Sequence, residues 1–155
     1  MKKAVKKISL LLALLITVTA FSSCGKKRAP NIAESIKKVY INGKEVNTVE
    51  SFAGAFSGVQ GDMIEFRFDK PQTLNTLYIM EKTASVKQFN IYAEIDGEFA
   101  LVYTGKEILA QFCTFETVEA SAVRVKIVNT DIGKNEFVIQ GIDFYNIALE
   151  SEVQK

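Results

Sequence analysis

Apolar side chains recur at every second position in several short segments of this chain. The clearest are Ile64–Phe68, Phe89–Ile95 and Val123–Ile127, in which charged or polar residues fill the alternate positions. A period of two is typical of a β-strand with one face on a core and the other in water. After residue 38, no long segment shows the 3.6-residue period of an amphipathic helix. Short strands at this spacing predict an all-β fold, either an antiparallel β-sandwich or a barrel.

Two turn-forming pairs predict hairpins between neighbouring strands. Asn42-Gly43 follows the apolar run Val39–Ile41, and Asp96-Gly97 leads into Phe99–Tyr103. Both pairs tolerate the positive φ angles that a two-residue hairpin turn requires. The segment Ser51–Gly61 is rich in Gly, Ser and Ala without a clear period, and it is predicted to be a long loop.

Three further strands are predicted at Leu74–Met80, Phe112–Phe115 and Val138–Tyr145, which are short runs rich in apolar residues. Pro71 is expected to end the strand that precedes Leu74, because proline has no amide hydrogen for a ladder. Cys113 lies inside one of these runs. We interpret it as a packed apolar residue rather than a reactive thiol.

The N-terminus has the layout of a secretory signal peptide. Met1–Lys7 contains four lysines and no acid, and the apolar stretch Ile8–Phe21 follows directly. That stretch is shorter than the roughly 18 apolar residues of a membrane-spanning helix. The sequence therefore predicts an exported protein from which this segment is removed.

The residues Phe21-Ser22-Ser23-Cys24-Gly25 resemble the lipobox of bacterial lipoproteins. The resemblance implies that the Cys24 thiol carries a lipid, which would anchor the protein in the cell membrane or the outer membrane. The alternative is a plain secretory signal that ends near a cysteine. Under the lipoprotein interpretation, residues 1–23 are a signal peptide, 24–31 the lipidated Cys and tether, 32–149 a β-sandwich and 150–155 a tail.

Removal of residues 1–23 takes away four of the 19 basic side chains and none of the 18 acidic ones. The 15 basic and 18 acidic side chains that remain give a net charge of about −3. A mildly acidic chain lacks the basic face that nucleic-acid binding requires, so a nucleic-acid partner is excluded.

The residue types of most catalytic centres are missing. The chain has no His and no Trp, and with Cys24 lipidated it would keep only Cys113. Ser-His-Asp and Cys-His arrangements and the usual zinc ligand sets cannot form without histidine or further cysteines. Paired carboxylates are still available, but a sequence cannot show that any two converge. We therefore predict a protein that is not an enzyme and has no cofactor and no metal site, with calcium considered below.

The order of segments resembles the discoidin domain, also called coagulation-factor 5/8 type C. Gly61–Pro71, Leu74–Leu77 and Val86–Ala93 carry the first part of the resemblance, and Phe99–Gly105 and Ile142–Tyr145 the last. It covers roughly Gly61 to Tyr145. The resemblance implies an eight-stranded jelly roll of the galactose-binding type, whose loops at one end bind sugars, lipids or proteins. Many members also hold calcium through an acidic residue near the closing strand. Gly141 stands at that place here, which counts against calcium without excluding it.

Carbohydrate-binding relatives combine an aromatic platform with polar groups, because a sugar has an apolar C–H face and a polar rim. The loop residues that could supply these groups are Phe52, Phe56, Glu81, Lys82, Gln111, Asn135 and Phe137. One hypothesis is therefore a membrane-anchored module that binds a glycan. The other is a structural or protein-interaction module at the cell envelope, in which Tyr78, Tyr92 and Tyr103 form a contact patch.

Overall fold

The computed structural model describes residues 29–46 and 56–148, and these ranges form an antiparallel β-sandwich preceded by one turn of 3-10 helix. The 3-10 turn spans Ile32–Ser35. The strands are β1 (Ile36–Ile41), β2 (Lys44–Val46), β3 (Phe56–Val59), β4 (Met63–Glu81), β5 (Val86–Ile95), β6 (Glu98–Gly105), β7 (Ala110–Thr130) and β8 (Glu136–Tyr145). The predicted fold class is confirmed.

Two long strands, β4 and β7, belong to both layers of the sandwich. The first half of β4 pairs with β1 and with the second half of β7, and its second half pairs with β8 and with the first half of β7. The ladder between β4 and β7 is interrupted between Arg67 and Gln72. Both strands bend there. The prediction that Pro71 ends a strand is wrong, because β4 continues through this position. The proline lies at the ladder break, where no amide hydrogen is needed. The segments predicted separately around Phe112 and Val123 likewise belong to one strand, β7, which continues past the ladder break.

Both predicted hairpins are present. Asn42 and Gly43 have φ angles of 50° and 79° and join β1 to β2, while Asp96 and Gly97, with φ angles of 52° and 87°, join β5 to β6. Two consecutive residues in the left-handed region are the signature of the tight hairpin turn that Asn-Gly and Asp-Gly favour.

The prediction of a loop over Ser51–Gly61 is wrong in its second half. Residues 56–59 form β3, which pairs with the start of β8. The glycine in this strand is required by packing, because a Cβ on Gly58 would lie 2.6 Å from the ring of Phe137. In the sequence, a glycine that lets a neighbouring ring pack against the backbone cannot be distinguished from a glycine in a loop.

The core fills the space between the two layers. Phe66 on β4 packs edge-on against Phe144 on β8 and Phe56 on β3, with ring centroids 5.3 and 5.9 Å apart. The described buried hydrophobic residues run from Val39 to Phe144. A chain that starts at residue 25 therefore carries the whole described core. Within residues 29–46 and 56–148, no helix has the length and apolarity that crossing a bilayer requires.

Candidate functional site

Four connections lie together at one end of the sandwich, which we call the loop end: residues 60–62, 82–85, 106–109 and 131–135. Backbone hydrogen bonds join them to each other and to nearby strands: Gln60 N–H donates to Asn135 O (3.0 Å), Asp131 N–H to Ser85 O (2.8 Å) and Glu81 N–H to Leu109 O (2.7 Å). The predicted residues Glu81, Lys82, Gln111 and Asn135 all lie at or beside this end. Bonds between the connections give the loop end a fixed shape.

The Glu81 carboxylate holds the connection between β4 and β5 in place. Its Oε1 accepts hydrogen bonds from Ser85 N (2.8 Å), Val86 N (3.2 Å) and Thr83 Oγ1 (2.6 Å). The residue is 7% exposed. We predicted Glu81 as a ligand-binding residue, but its acceptor atoms are used by its own loop. The structure therefore gives it a role in positioning its neighbours.

Two depressions open at the loop end, and each contains one of the predicted residues. The first has a volume of about 590 Å³ and is lined by Lys87, Lys106, Glu107, Ile108, Leu109, Ala110 and Gln111. The second, also about 590 Å³, is lined by Thr83, Ser85, Gly133, Lys134, Asn135 and Glu136. Lys82 is exposed and lines neither of the two. Sequence reasoning missed Thr83, Lys106 and Lys134, whose only signal was their position in predicted connections.

Phe56 and Phe137 do not form the aromatic sugar-binding surface that was predicted at the loop end. Phe56 is 6% exposed and Phe137 is 1% exposed, and both belong to the core between the layers. Their ring faces are covered, so neither can stack on a sugar, and their inclusion in the binding set is corrected. Neither depression is lined by an aromatic side chain. Phe52 and Cys24 lie outside the described residues, so their predicted roles remain predictions.

The three tyrosines proposed as a contact patch do not form one. Tyr92 pairs with Arg124 on one layer, and Tyr103 lies partly buried beside Phe89, with ring centroids 6.0 Å apart. Tyr78 instead belongs to a different cluster, on the outer face of the layer that contains β8. There it contacts Phe112, with ring centroids 4.8 Å apart.

This outer-face cluster, which we call the aromatic platform, consists of Tyr78, Phe112 and Tyr145. The Phe112 and Tyr145 centroids are 6.3 Å apart, and Phe112 is 60% exposed. The exposure of Phe112 was not predicted, because the residue belongs to a short run, Phe112–Phe115, that also contains Cys113 and is typical of a buried strand. Alternation shows that two neighbours point to opposite faces but does not say which face is outside.

Charged side chains occupy the outer face of the other layer. Glu65 contacts Nε of Arg67 at 2.5 Å and Nε of Arg124 at 2.6 Å, and Arg67 also makes a two-pronged contact with Glu94. Burial by itself raises the pKa of Glu94, but hydrogen bonds from Ser121 and Arg67 hold that pKa below its ordinary value. Every charge in this cluster has a partner. Its arrangement joins β4, β5 and β7 rather than presenting a free charge to a ligand.

Cys113 has the properties of a packed residue, as the sequence indicated. It is fully buried, and burial raises the pKa of its thiol to about 12, although a hydrogen bond with Tyr103 acts in the opposite direction. A thiol of this kind is not ionised at neutral pH and is a poor nucleophile. Among the described residues, no group of three or more His, Cys, Asp or Glu side chains is placed to hold a metal ion.

The arrangement of the strands defines a fold class: it is the antiparallel β-sandwich fold of discoidin-type, galactose-binding-like domains. Its similarity to known proteins lies in structure, since no protein-family model and no curated protein matches the sequence. Solved structures with the same fold include carbohydrate-binding modules of the CBM32 type.

A structure of the CBM32-1 and CBM32-2 domains of Clostridium perfringens ZmpB in complex with GalNAc matches with a TM-score of 0.59 and 17% identity, over 75% of this chain and 35% of that one. A pectin-binding carbohydrate-binding module matches with a TM-score of 0.58 and 18% identity, over 73% of this chain and 92% of that one. The Ruminococcus gnavus GH29 fucosidase E1_10125, in complex with fucose, matches with a TM-score of 0.61 and 17% identity, over 77% of this chain.

The match to the enzymes is confined to part of their length. This chain spans 27% of the Ruminococcus gnavus fucosidase chain and 22% of the chain of SpGH29. At these identities the likeness establishes the fold, and fold alone does not determine function.

Proposed function

We propose that this protein is an exported lipoprotein whose β-sandwich is a non-catalytic carbohydrate-binding module. The observation that carries the proposal is the pair of polar depressions at the loop end of a fold shared with carbohydrate-binding modules. Each combines ammonium, carboxylate and amide or hydroxyl side chains. Groups of these types supply the hydrogen bonds that sugar hydroxyls require.

The position of the N-terminal segment supports this role. Asn31 donates a hydrogen bond to Asp143 (2.6 Å) and accepts one from the amide of Phe144 (3.2 Å), and Ile36 pairs with Phe68 beside the bend in β4. The described chain thus starts at the end opposite the loop end. A lipid on Cys24 would leave the two depressions directed away from the membrane.

A protein-interaction module is the second candidate, and the aromatic platform is the observation that favours it. An exposed Phe such as Phe112 is unusual on a surface that meets only water, and aromatic residues are enriched in protein interfaces. The two candidates differ in the class of ligand, a glycan in the first and a protein in the second.

Replacing Cys24 by serine tests the anchor. Without the thiol no lipid can be attached, so we expect the Cys24→Ser protein to move from the membrane fraction to the soluble exported fraction. Membrane fractionation and mass measurement of the N-terminal peptide provide the readouts, and Cys113→Ser is the matched control. A Cys24→Ser protein that still fractionates with membranes contradicts the lipoprotein assignment.

A glycan array and calorimetric titration of residues 25–155 test the binding function. We expect saturable binding to at least one sugar, weakened by about fivefold or more in Gln111→Ala or Asn135→Ala, because each removes hydrogen bonds worth about 1 kcal/mol. Asn146→Ala is the control, since Asn146 is exposed at the opposite end. Parallel titrations with calcium and with chelator test the ion. No binding across the array would favour the protein-interaction candidate.

A further inference from the structure

The aromatic platform is built from neighbouring strands of one layer. Tyr78 on β4 stands opposite Phe112 on β7, and Thr76 on β4 stands opposite Tyr145 on β8. Thr76 is 1% exposed although its side chain is on the same outer face as Tyr78. The Tyr145 ring stands on the neighbouring strand β8, directly across from it. The three rings Tyr78, Phe112 and Tyr145 form a cluster on the outside of the sheet.

This surface is continuous with the first depression at the loop end. Ala110 lines the depression and stands on the same outer face of β7 as Phe112, two residues further along, whereas Gln111 points to the opposite face. Leu109, which is 51% exposed, stands at the rim. A ligand seated in this depression beside Ala110 would therefore meet the ring of Phe112 if it extended along the outer face of the sheet.

The chemistry around the rings matches an uncharged sugar chain. Asp143 stands opposite Tyr78 with a carboxylate whose Oδ1 accepts a hydrogen bond from Asn31 and whose second oxygen can accept another, and the exposed Thr114 follows Phe112 on the outer face of β7. A sugar ring has an apolar face that stacks on aromatic side chains and hydroxyls that donate to such acceptors. The platform thus offers both kinds of contact that a sugar ring makes.

The charges on this face disfavour other occupants. The strand segments that form it, residues 76–80, 110–116 and 141–145, contain no lysine or arginine. On the platform itself, an anionic lipid surface or a polyuronate chain would meet only carboxylates, and the two lysines of the site, Lys87 and Lys106, lie in the depression beside it. A stable protein interface needs about 800 Å² on each partner. The apolar part of this face consists of three rings, and the polar Thr114 and Asp143 lie beside them, so the face does not resemble the apolar centre of such an interface.

From these observations we propose that the aromatic platform is a sugar-stacking subsite, and that the ligand is an uncharged oligosaccharide that extends from the Gln111 depression across Phe112. This inference rests on the proposed carbohydrate-binding function and extends it. It assigns the ligand as a chain of sugar units rather than a single sugar.

The test compares ligand lengths on residues 25–155. Galactose, mannose and xylose and their neutral oligosaccharides of two to four units serve as probes, with oligogalacturonides of equal length as charged comparators. We expect the wild-type protein to bind a neutral tetrasaccharide more tightly than its single sugar. Phe112→Ala should weaken tetrasaccharide binding about fivefold or more, which corresponds to one aromatic contact, and leave single-sugar binding unchanged.

Two variants control for unrelated effects of the change. Phe112→Tyr keeps the ring and should keep the affinity, while Leu101→Ala removes a side chain of similar exposure, 54%, from β6 and should have no effect. Equal affinity of the Phe112→Ala and wild-type proteins for the tetrasaccharide overturns the inference but not the binding function. Failure to bind every sugar overturns both. A dimer in sedimentation that Phe112→Ala dissolves would assign the platform to a second copy of the chain.

Discussion

Phe66→Ala is expected to lower the free energy of unfolding by about 3–5 kcal/mol, the usual cost of truncating a buried phenylalanine. Phe66 is fully buried on the first half of β4, and its ring contacts Phe144 and Phe56, which belong to the opposite layer. Truncation leaves a cavity between the layers, which the bent strands β4 and β7 cannot close without shifting their ladders. Urea unfolding of residues 25–155 followed by circular dichroism measures the loss.

Two further variants make the Phe66 result specific to packing between the layers. Phe66→Leu keeps most of the volume and should cost less than Phe66→Ala. Leu101→Ala removes an exposed side chain and should change the free energy of unfolding by less than about 0.5 kcal/mol. A loss below about 1.5 kcal/mol for Phe66→Ala would be inconsistent with two layers that pack across this ring.

The strands and hairpins could be predicted because their signals are local. Alternation in Ile64–Phe68 and the pair Asp96-Gly97 depend on steric rules that act within a few residues. The extent of β4 and β7 could not be predicted in this way. Whether a strand continues through Pro71 depends on a ladder break with β7, and that break is set by pairing over a long sequence distance.

The candidate site was predictable only in part, for a related reason. Lys82, Gln111 and Asn135 were placed at one end by their positions between predicted strands. The structure places Lys82 and Asn135 in connections at that end and Gln111 at the start of β7 beside it. The exposure of individual rings was not predictable. Phe137 and Phe112 are both aromatic residues near strand starts, yet Phe137 is 1% exposed and Phe112 is 60% exposed. Only the packing of the second layer decides which ring is covered.

Removal of the Glu81 carboxylate should have the second-largest effect on stability. Glu81→Ala leaves the backbone amides of Ser85 and Val86 without their acceptor beside the buried hydroxyl of Ser85. Each buried donor without a partner costs about 1–3 kcal/mol, so we expect a loss on the order of 3 kcal/mol. Glu81→Gln keeps an oxygen acceptor of the same shape and should lose only about 1 kcal/mol, since neutral acceptors bind donors less strongly than charged ones.

The same pair of variants links the loop to ligand binding. Thr83 donates to Glu81 and accepts a hydrogen bond from the amide of Val138 (3.2 Å), and it also lines the depression that contains Asn135. Loss of the carboxylate would therefore release one wall of that depression while the core stays intact. We expect Glu81→Ala to show faster amide hydrogen exchange at residues 82–86 and weaker binding of any sugar that Asn135→Ala affects, with Glu81→Gln close to wild type in both. Equal exchange in all three proteins would show that the loop keeps its shape without the carboxylate.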